Sequence, residues 1–164
     1  MSVSAIHLRT ESPEGTIRMA EAWAPQCRPG DVIGLEGTLG AGKTCFVKGL
    51  ARGLGVGEQT RVLSPTFVLL RRYEGRLTVH HFDAYRMADA AEMEAIGCEE
   101  IFEGDGVSVV EWADHVAGCL PPDHFMVSIE VTGATTRSFA VSASRAAPAA
   151  RLEGLGRALA PWRA

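Results

Sequence analysis

Residues 37–44, Gly37-Thr38-Leu39-Gly40-Ala41-Gly42-Lys43-Thr44, carry Gly37, Gly42, Lys43 and Thr44 at the spacing of a phosphate-cradling loop. Such a loop commits the chain locally: a buried strand must end at its first glycine, and a helix must begin at its lysine. Both neighbours have the required composition. Asp31-Val32-Ile33-Gly34-Leu35-Glu36 is a short apolar run introduced by Pro29-Gly30, and Phe46, Val47, Leu50, Ala51 and Leu54 recur at helical spacing until Gly53 and Gly55. A second glycine cluster, Gly53-Leu54-Gly55-Val56-Gly57, follows a helix and reads as its C-terminal cap and loop rather than as a dinucleotide site.

Each residue type in the loop has a mechanical reason. Gly37, Gly40 and Gly42 allow backbone amides to turn inward around phosphate oxygens without a Cβ in the way. Helix amides at Lys43 add the positive end of a dipole. Lys43 is expected to reach the β- and γ-phosphates, and the Thr44 hydroxyl to hold Mg²⁺. A nucleoside triphosphate is therefore the expected ligand.

The rest of the chain sets bounds. At 164 residues with 46% hydrophobic content, one domain with a real core is the simplest reading. Residues 1–144 are expected to form the phosphate-loop domain, and residues 145–164, rich in alanine and arginine, a terminal helix or tail. Cys27, Cys45, Cys98 and Cys119 are widely spaced and lack a Cys-x-x-Cys pair, which points to reduced thiols rather than a disulfide framework or metal site. No run approaches the length of a membrane span, so a soluble, cytoplasmic protein without membrane contact is expected. A net charge of −4 argues against the whole surface serving as a polyanion-binding face. Arg71-Arg72 is the nearest local basic patch.

Residues 16–27 read as an amphipathic helix entered through Ser12-Pro13-Glu14. Residues 68–73 and 77–83 read as a hairpin turning at Glu74-Gly75, residues 88–96 and 99–102 as helices, and residues 107–111 as a buried strand. Two β-like runs, residues 125–131 and 138–141, close the pattern. Strands alternating with helices and then pairing as hairpins imply an α/β fold: a phosphate-loop mixed sheet flanked by helices.

Hydrolysis or transfer of a γ-phosphoryl group also needs oxygen ligands for the metal and a group that positions the attacking oxygen. Asp83 and Glu111 each close a strand and are the natural suppliers. Trp112 follows Glu111 and either packs in the core or lies against the pocket. In the tandem pair His80-His81, opposite sheet faces separate the two rings, so one can approach the site while the other packs. Ser64-Pro65-Thr66 sits where loops that sense a γ-phosphate lie, with Thr66 offering an oxygen to metal or phosphate.

In this order, residues 37–44, Ser64-Pro65-Thr66-Phe67, His81-Phe82-Asp83-Ala84-Tyr85-Arg86 and Glu111-Trp112 resemble the TsaE (YjeE) family, over about residues 16–142. The resemblance implies a small cytoplasmic ATPase needed to make threonylcarbamoyladenosine in tRNA, using ATP and Mg²⁺ and working with TsaB and TsaD, which bring in the tRNA. It makes Lys43 and Thr44 the phosphate and magnesium contacts and Glu111 a metal ligand. Asp83 becomes the second required acid, Thr66 part of a switch-like loop, and Trp112 a neighbour of the nucleotide. The cradle, Gly37 through Cys45, would surround the phosphates, and Thr16 matches a threonine near the base or ribose. Two positions depart from the pattern: Thr38 stands where an acidic residue is usual and Ala84 where leucine is usual. Neither departure removes a group the phosphate chemistry requires.

Two further readings remain open on the residues alone. A small-metabolite kinase needs an acceptor pocket and an arginine-rich lid, for which only Arg71, Arg72 and Arg86 are available between the cradle and Glu111. A nucleotide-gated binding protein would dock on a partner and hydrolyse only incidentally.

Overall fold

Seven strands form one mixed sheet in the order β1-β7-β6-β2-β5-β4-β3, in a computed structural model that describes residues 5–164. The strands are β1 (Ala5–Thr10), β2 (Val32–Gly37), β3 (Leu70–Tyr73), β4 (Val79–Asp83), β5 (Val107–Glu111), β6 (Phe125–Val131) and β7 (Arg137–Ala143). Strands β6, β2, β5 and β4 run parallel, and β1, β7 and β3 are antiparallel to their neighbours. Five α-helices cover it: α1 (Pro13–Trp23), α2 (Lys43–Gly53), α3 (Ala90–Ala95), α4 (Cys98–Phe102) and α5 (Ala146–Ala158).

The parallel strands read as continuous apolar runs because both of their faces are covered. Ile33, Leu35, Val107 and Val109 point into a cluster with Trp23, Phe46, Leu50 and Leu155 from α1, α2 and α5. Val32 and Val110 point the other way, toward Met93, Phe102 and Val116. Trp23 sits at the centre of the larger cluster, edge-on to Phe46 at 5.4 Å and to Phe125 at 5.7 Å. Helix α1 begins where its sequence directs: Ser12 caps it by accepting from the Gly15 amide at 3.0 Å, Pro13 occupies its first turn, and Glu14 complements the dipole.

Several boundaries move from the sequence expectation. Helix α1 starts three residues earlier than residue 16 and gives way at Ala24 to a 3-10 turn containing Pro25. β3 starts at Leu70 rather than residue 68, because Leu69 takes a left-handed conformation (φ 69°) and donates its amide to the Pro65 carbonyl at 2.6 Å. The mate strand starts at Val79 rather than residue 77, and the last strand extends beyond residues 138–141 at both ends. Strand β1 carries a period-2 alternation in which Ile6, Leu8 and Thr10 are buried, an element absent from the sequence expectation; residues 1–4 of the chain lie outside the described part.

Helix α5 packs its Leu152 and Leu155, and the capping Leu159 just beyond its end, into the main core, and Arg151 grips Asp31 with two bonds of 2.6 and 2.8 Å. Truncating Leu155, 2% exposed, leaves a cavity that its neighbours fill only partly, so Leu155→Ala is expected to lower the unfolding free energy by roughly 2–5 kcal/mol in chemical denaturation. Arg157→Ala removes only an exposed i,i+4 pair with Glu153 and should change it by less than about 0.5 kcal/mol.

Candidate functional site: a cleft at the carboxyl ends of the parallel strands

Strand register brings the chemistry together. Leu35 on β2 and Asp83 on β4 are both paired with Glu111 on β5, so the two carboxylates leave the sheet at one level, with Gly37 two residues beyond Leu35. Ligands of open parallel sheets bind in the crevice beyond the carboxyl ends of such strands. Here the crevice is a cleft of about 400 Å³ that includes Leu39, Gly40, Gly42, Lys43, Thr44, Cys45, Ser64, Thr66, Asp83, Tyr85, Glu111 and Trp112 in its lining.

The loop is held by its glycines and by its lysine. Gly42 has φ 109°, a conformation closed to most side chains, and precedes the first residue of α2. A Cβ on Gly37 would lie 2.7 Å from the Ile129 carbonyl of β6, so only glycine permits this approach of the loop to the sheet. The Lys43 ammonium donates to the carbonyls of Gly37 at 2.7 Å and Thr38 at 2.9 Å and lies 3.8 Å from the centre of the Trp112 ring. Burial lowers the Lys43 pKa from its ordinary value, while the carboxylates of Glu111, Asp114 and Asp83 oppose the change. Trp112 itself has φ 59°, strained for a bulky residue, and this turn lays its indole over Lys43 and against Tyr85 and His115.

Glu111 is 3% exposed, and both of its oxygens have partners. The Thr44 hydroxyl donates to Oε1 at 3.1 Å and lies 3.3 Å from Oε2, and His81 Nε2 donates to Oε2 at 2.5 Å. Because a carboxylate only accepts, Nε2 carries the His81 proton, and Nδ1 accepts from the Tyr73 hydroxyl at 3.1 Å. Of the tandem histidines it is thus His81 that meets the site. His80 packs at Gly106, and its Nδ1 is the only buried side-chain polar atom without a partner among the described residues.

Asp83 holds the loop before β3. Its Oδ2 accepts from the hydroxyls of Ser64 and of Thr66, the latter at 2.9 Å, and its Oδ1 accepts from the Tyr85 amide at 2.8 Å. Thr66 thereby faces the cleft. Cys45 lines the cleft as well, with burial pushing its thiol pKa up.

Thr16 sits differently from the other expected site residues. It is buried on α1, with its hydroxyl 2.8 Å from that of Thr10 and 3.4 Å from the Ser12 carbonyl, and it does not line the cleft. Gly37, Thr38 and Ala41 belong to the loop but not to the lining: Ala41 is fully buried, and the exposed Thr38 contributes its carbonyl to Lys43 and to the Ala41 amide. Ser64 and Tyr85 line the cleft as well; in the sequence they stand inside the Ser64-Pro65-Thr66 loop and the His81-to-Arg86 motif without a role of their own.

The family model described as "Threonylcarbamoyl adenosine biosynthesis protein TsaE" matches residues 10–139. This chain belongs to the TsaE family. Among TsaE proteins, those named as tRNA threonylcarbamoyladenosine biosynthesis protein in Bacillus subtilis and Treponema pallidum are 44% and 42% identical to it, over 82% and 81% of this chain and 84% and 97% of theirs. The crystal structure of Bacillus subtilis YdiB superposes with a TM-score of 0.80 at 36% identity, covering 98% of this chain and 97% of that one. The phosphate-loop α/β fold expected from sequence is therefore the fold observed, and the TsaE role in threonylcarbamoyladenosine biosynthesis comes with the family. Among the described residues, no helix is long and apolar enough to cross a membrane.

Two hydroxyls and one amide converge on Asp83, and a hydrogen bond to a charged acceptor contributes about 1.5–3 kcal/mol. In Asp83→Ala the loop loses this anchor. Hydrogen exchange at the Leu69 and Tyr85 amides should then run roughly 10- to 100-fold faster. Unchanged exchange at Leu69 would remove Asp83 as the anchor.

Proposed function

We propose that this chain is a Mg²⁺-dependent ATPase whose hydrolysis serves threonylcarbamoyladenosine formation in tRNA, acting with TsaB and TsaD homologues that bring the tRNA, in the cytoplasm. The observation that carries the reading is the meeting of the Thr44 hydroxyl with the buried Glu111 carboxylate, 3.1 Å apart, at the mouth of the glycine loop. That donor pair suits Mg²⁺, which takes hard oxygen ligands, uses one or two carboxylates and completes its shell with water and substrate phosphate. Among the described residues there is no cluster of three or more acidic, histidine or cysteine side chains that would suggest a metal cage instead.

Thr44 and Glu111 would hold the metal, which when bound neutralises charge between the β- and γ-phosphates. The loop amides and the start of α2 receive phosphate oxygens. Lys43 exchanges its two carbonyl partners for phosphate and offsets the charge that develops as the bond from the γ-phosphorus to its bridging oxygen breaks. Water supplies the attacking oxygen, giving ADP, phosphate and a proton. Asp83, whose oxygens already accept three bonds, acts by holding Thr66 toward the γ-phosphate position. His81 fixes the orientation of Glu111 from behind.

A specific observation favours a second reading, a nucleotide-gated docking protein. The side chains of Leu39, Phe67, Val68 and Tyr85 are exposed at and beside the cleft, with Arg86 stacked over Phe67 at 4.4 Å. Docking that follows nucleotide without any turnover would decide for it.

The test is turnover of ATP by the purified chain, alone and with the two partners and tRNA. Weak basal hydrolysis that the partners raise, and that chelation of Mg²⁺ abolishes, is the expected result. Lys43→Ala, Thr44→Ala and Glu111→Ala should each lower turnover by roughly 10²–10³-fold. Full activity in Glu111→Ala would take Glu111 out of the mechanism, and stimulation by a small metabolite instead of the partners would sink the assignment.

A further inference from the structure

Arg137 stands 94 residues beyond Lys43 in the chain and yet touches the glycine loop. It opens β7, paired with Val131 on one side and Thr10 on the other, at the edge of the sheet from which the loop emerges. Its guanidinium donates from Nε to the Ala41 carbonyl at 3.0 Å and from Nη2 to the Gly40 carbonyl at 3.3 Å. The remaining contacts go from Nη1 to the carbonyls of Gly133 at 3.1 Å and Thr136 at 2.9 Å, in the β6–β7 turn. Among the described residues it forms no ion pair, and it is half-buried.

A guanidinium presents its donors in a rigid planar fork, so bonding two successive carbonyls fixes the peptide units that carry them. A peptide unit is planar and trans, with its N–H directed opposite to its C=O. Drawing the Ala41 carbonyl toward Arg137 therefore turns the Gly42 amide to the opposite side, and Gly42 lines the cleft. The glycines that let the loop form a cradle also leave it free to take other shapes, and a clamp from outside restricts that freedom. A cation with no carboxylate partner also adds positive potential beside the cradle.

We propose that Arg137 is a positioning residue for phosphate binding: it clamps the glycine loop to the β6–β7 turn in the shape that receives the β-phosphate. The proposal rests on the reading of the cleft as a nucleotide site. It assigns Arg137 no contact with the nucleotide itself.

The test compares wild type, Arg137→Lys and Arg137→Ala for binding of ADP and Mg²⁺–ATP by calorimetry, for kcat and KM, for melting temperature, and for hydrogen exchange of residues 39–43 without nucleotide. Arg137→Ala should weaken ADP binding about tenfold or more, raise KM more than it lowers kcat, and speed exchange in the loop. Arg137→Lys, which keeps the charge but not the fork, should recover part of the affinity and little of the exchange protection. ADP bound equally well by wild type and Arg137→Ala overturns the proposal. So does a loss in kcat and melting temperature with no larger loss in affinity. Wild type that binds neither nucleotide overturns the nucleotide reading and the proposal with it; wild type that binds beside an unimpaired Arg137→Ala overturns the proposal alone.

Discussion

A carboxylate removed from water is costly unless its oxygens are filled, and the arrangement around Glu111 is the solution on which this site depends. Its oxygens are met by the Thr44 hydroxyl, which belongs to the loop helix α2, and by the His81 ring, which belongs to β4. His81 is in turn held by Tyr73 on β3, whose hydroxyl also lies 3.4 Å from the Leu63 carbonyl at the start of the Ser64-Pro65-Thr66 loop. Three separate stretches of chain, α2, β4 and β3, are therefore tied to one buried charge. Strand register makes this possible, because Leu35, Asp83 and Glu111 are paired at the same level.

Lys43 illustrates the same economy of charge. Its ammonium is satisfied by the carbonyls of Gly37 and Thr38 and by the face of Trp112. An exposed cation–π contact contributes only about 0.5–1 kcal/mol, rising to about 2 when desolvated. The strained backbone at Trp112 costs a comparable amount. The lysine is thus held by two carbonyl dipoles and an aromatic face rather than by an ion pair, and the acidic side chains around it oppose the effect of burial on its charge.

Much of this was legible in the sequence, and each part that was not has its own physical cause. The loop, Asp83, Glu111 and Thr66 announce themselves because each is a constrained residue type at the end of a local element, where period and composition are read over ten or so residues. Arg137 gave no such signal: it is one arginine beside an exposed turn, and only the pairing of β7 with β6 and β1 brings it to Gly40 and Ala41. His81 was legible only as one of two histidines on opposite faces, since the choice between them depends on which face of β4 looks toward Glu111. Strand β1 failed for a different reason, because its alternation spans only six residues at a chain end. Thr16 stood on the resemblance alone, and its hydroxyl is taken up by Thr10 and Ser12.

The two departures from the family pattern can be judged from what surrounds them. Ala84 is fully buried, and the backbone on either side of it is fixed without help from its side chain: its amide donates to the Glu111 carbonyl at 3.0 Å, and its own carbonyl lies 3.0 Å from His115 Nδ1. Since Asp83 immediately precedes these bonds, the direction of its carboxylate is set by main-chain geometry, and the methyl of Ala84 only has to fill space near Met87 and Met93. Thr38 is exposed, and the loop uses its carbonyl rather than its side chain. An acidic group there would place a negative charge beside the Lys43 ammonium, whereas a threonine leaves the positive potential of the loop undiminished. The substitution therefore changes the field at the rim of the cleft and leaves the bonds that shape it intact.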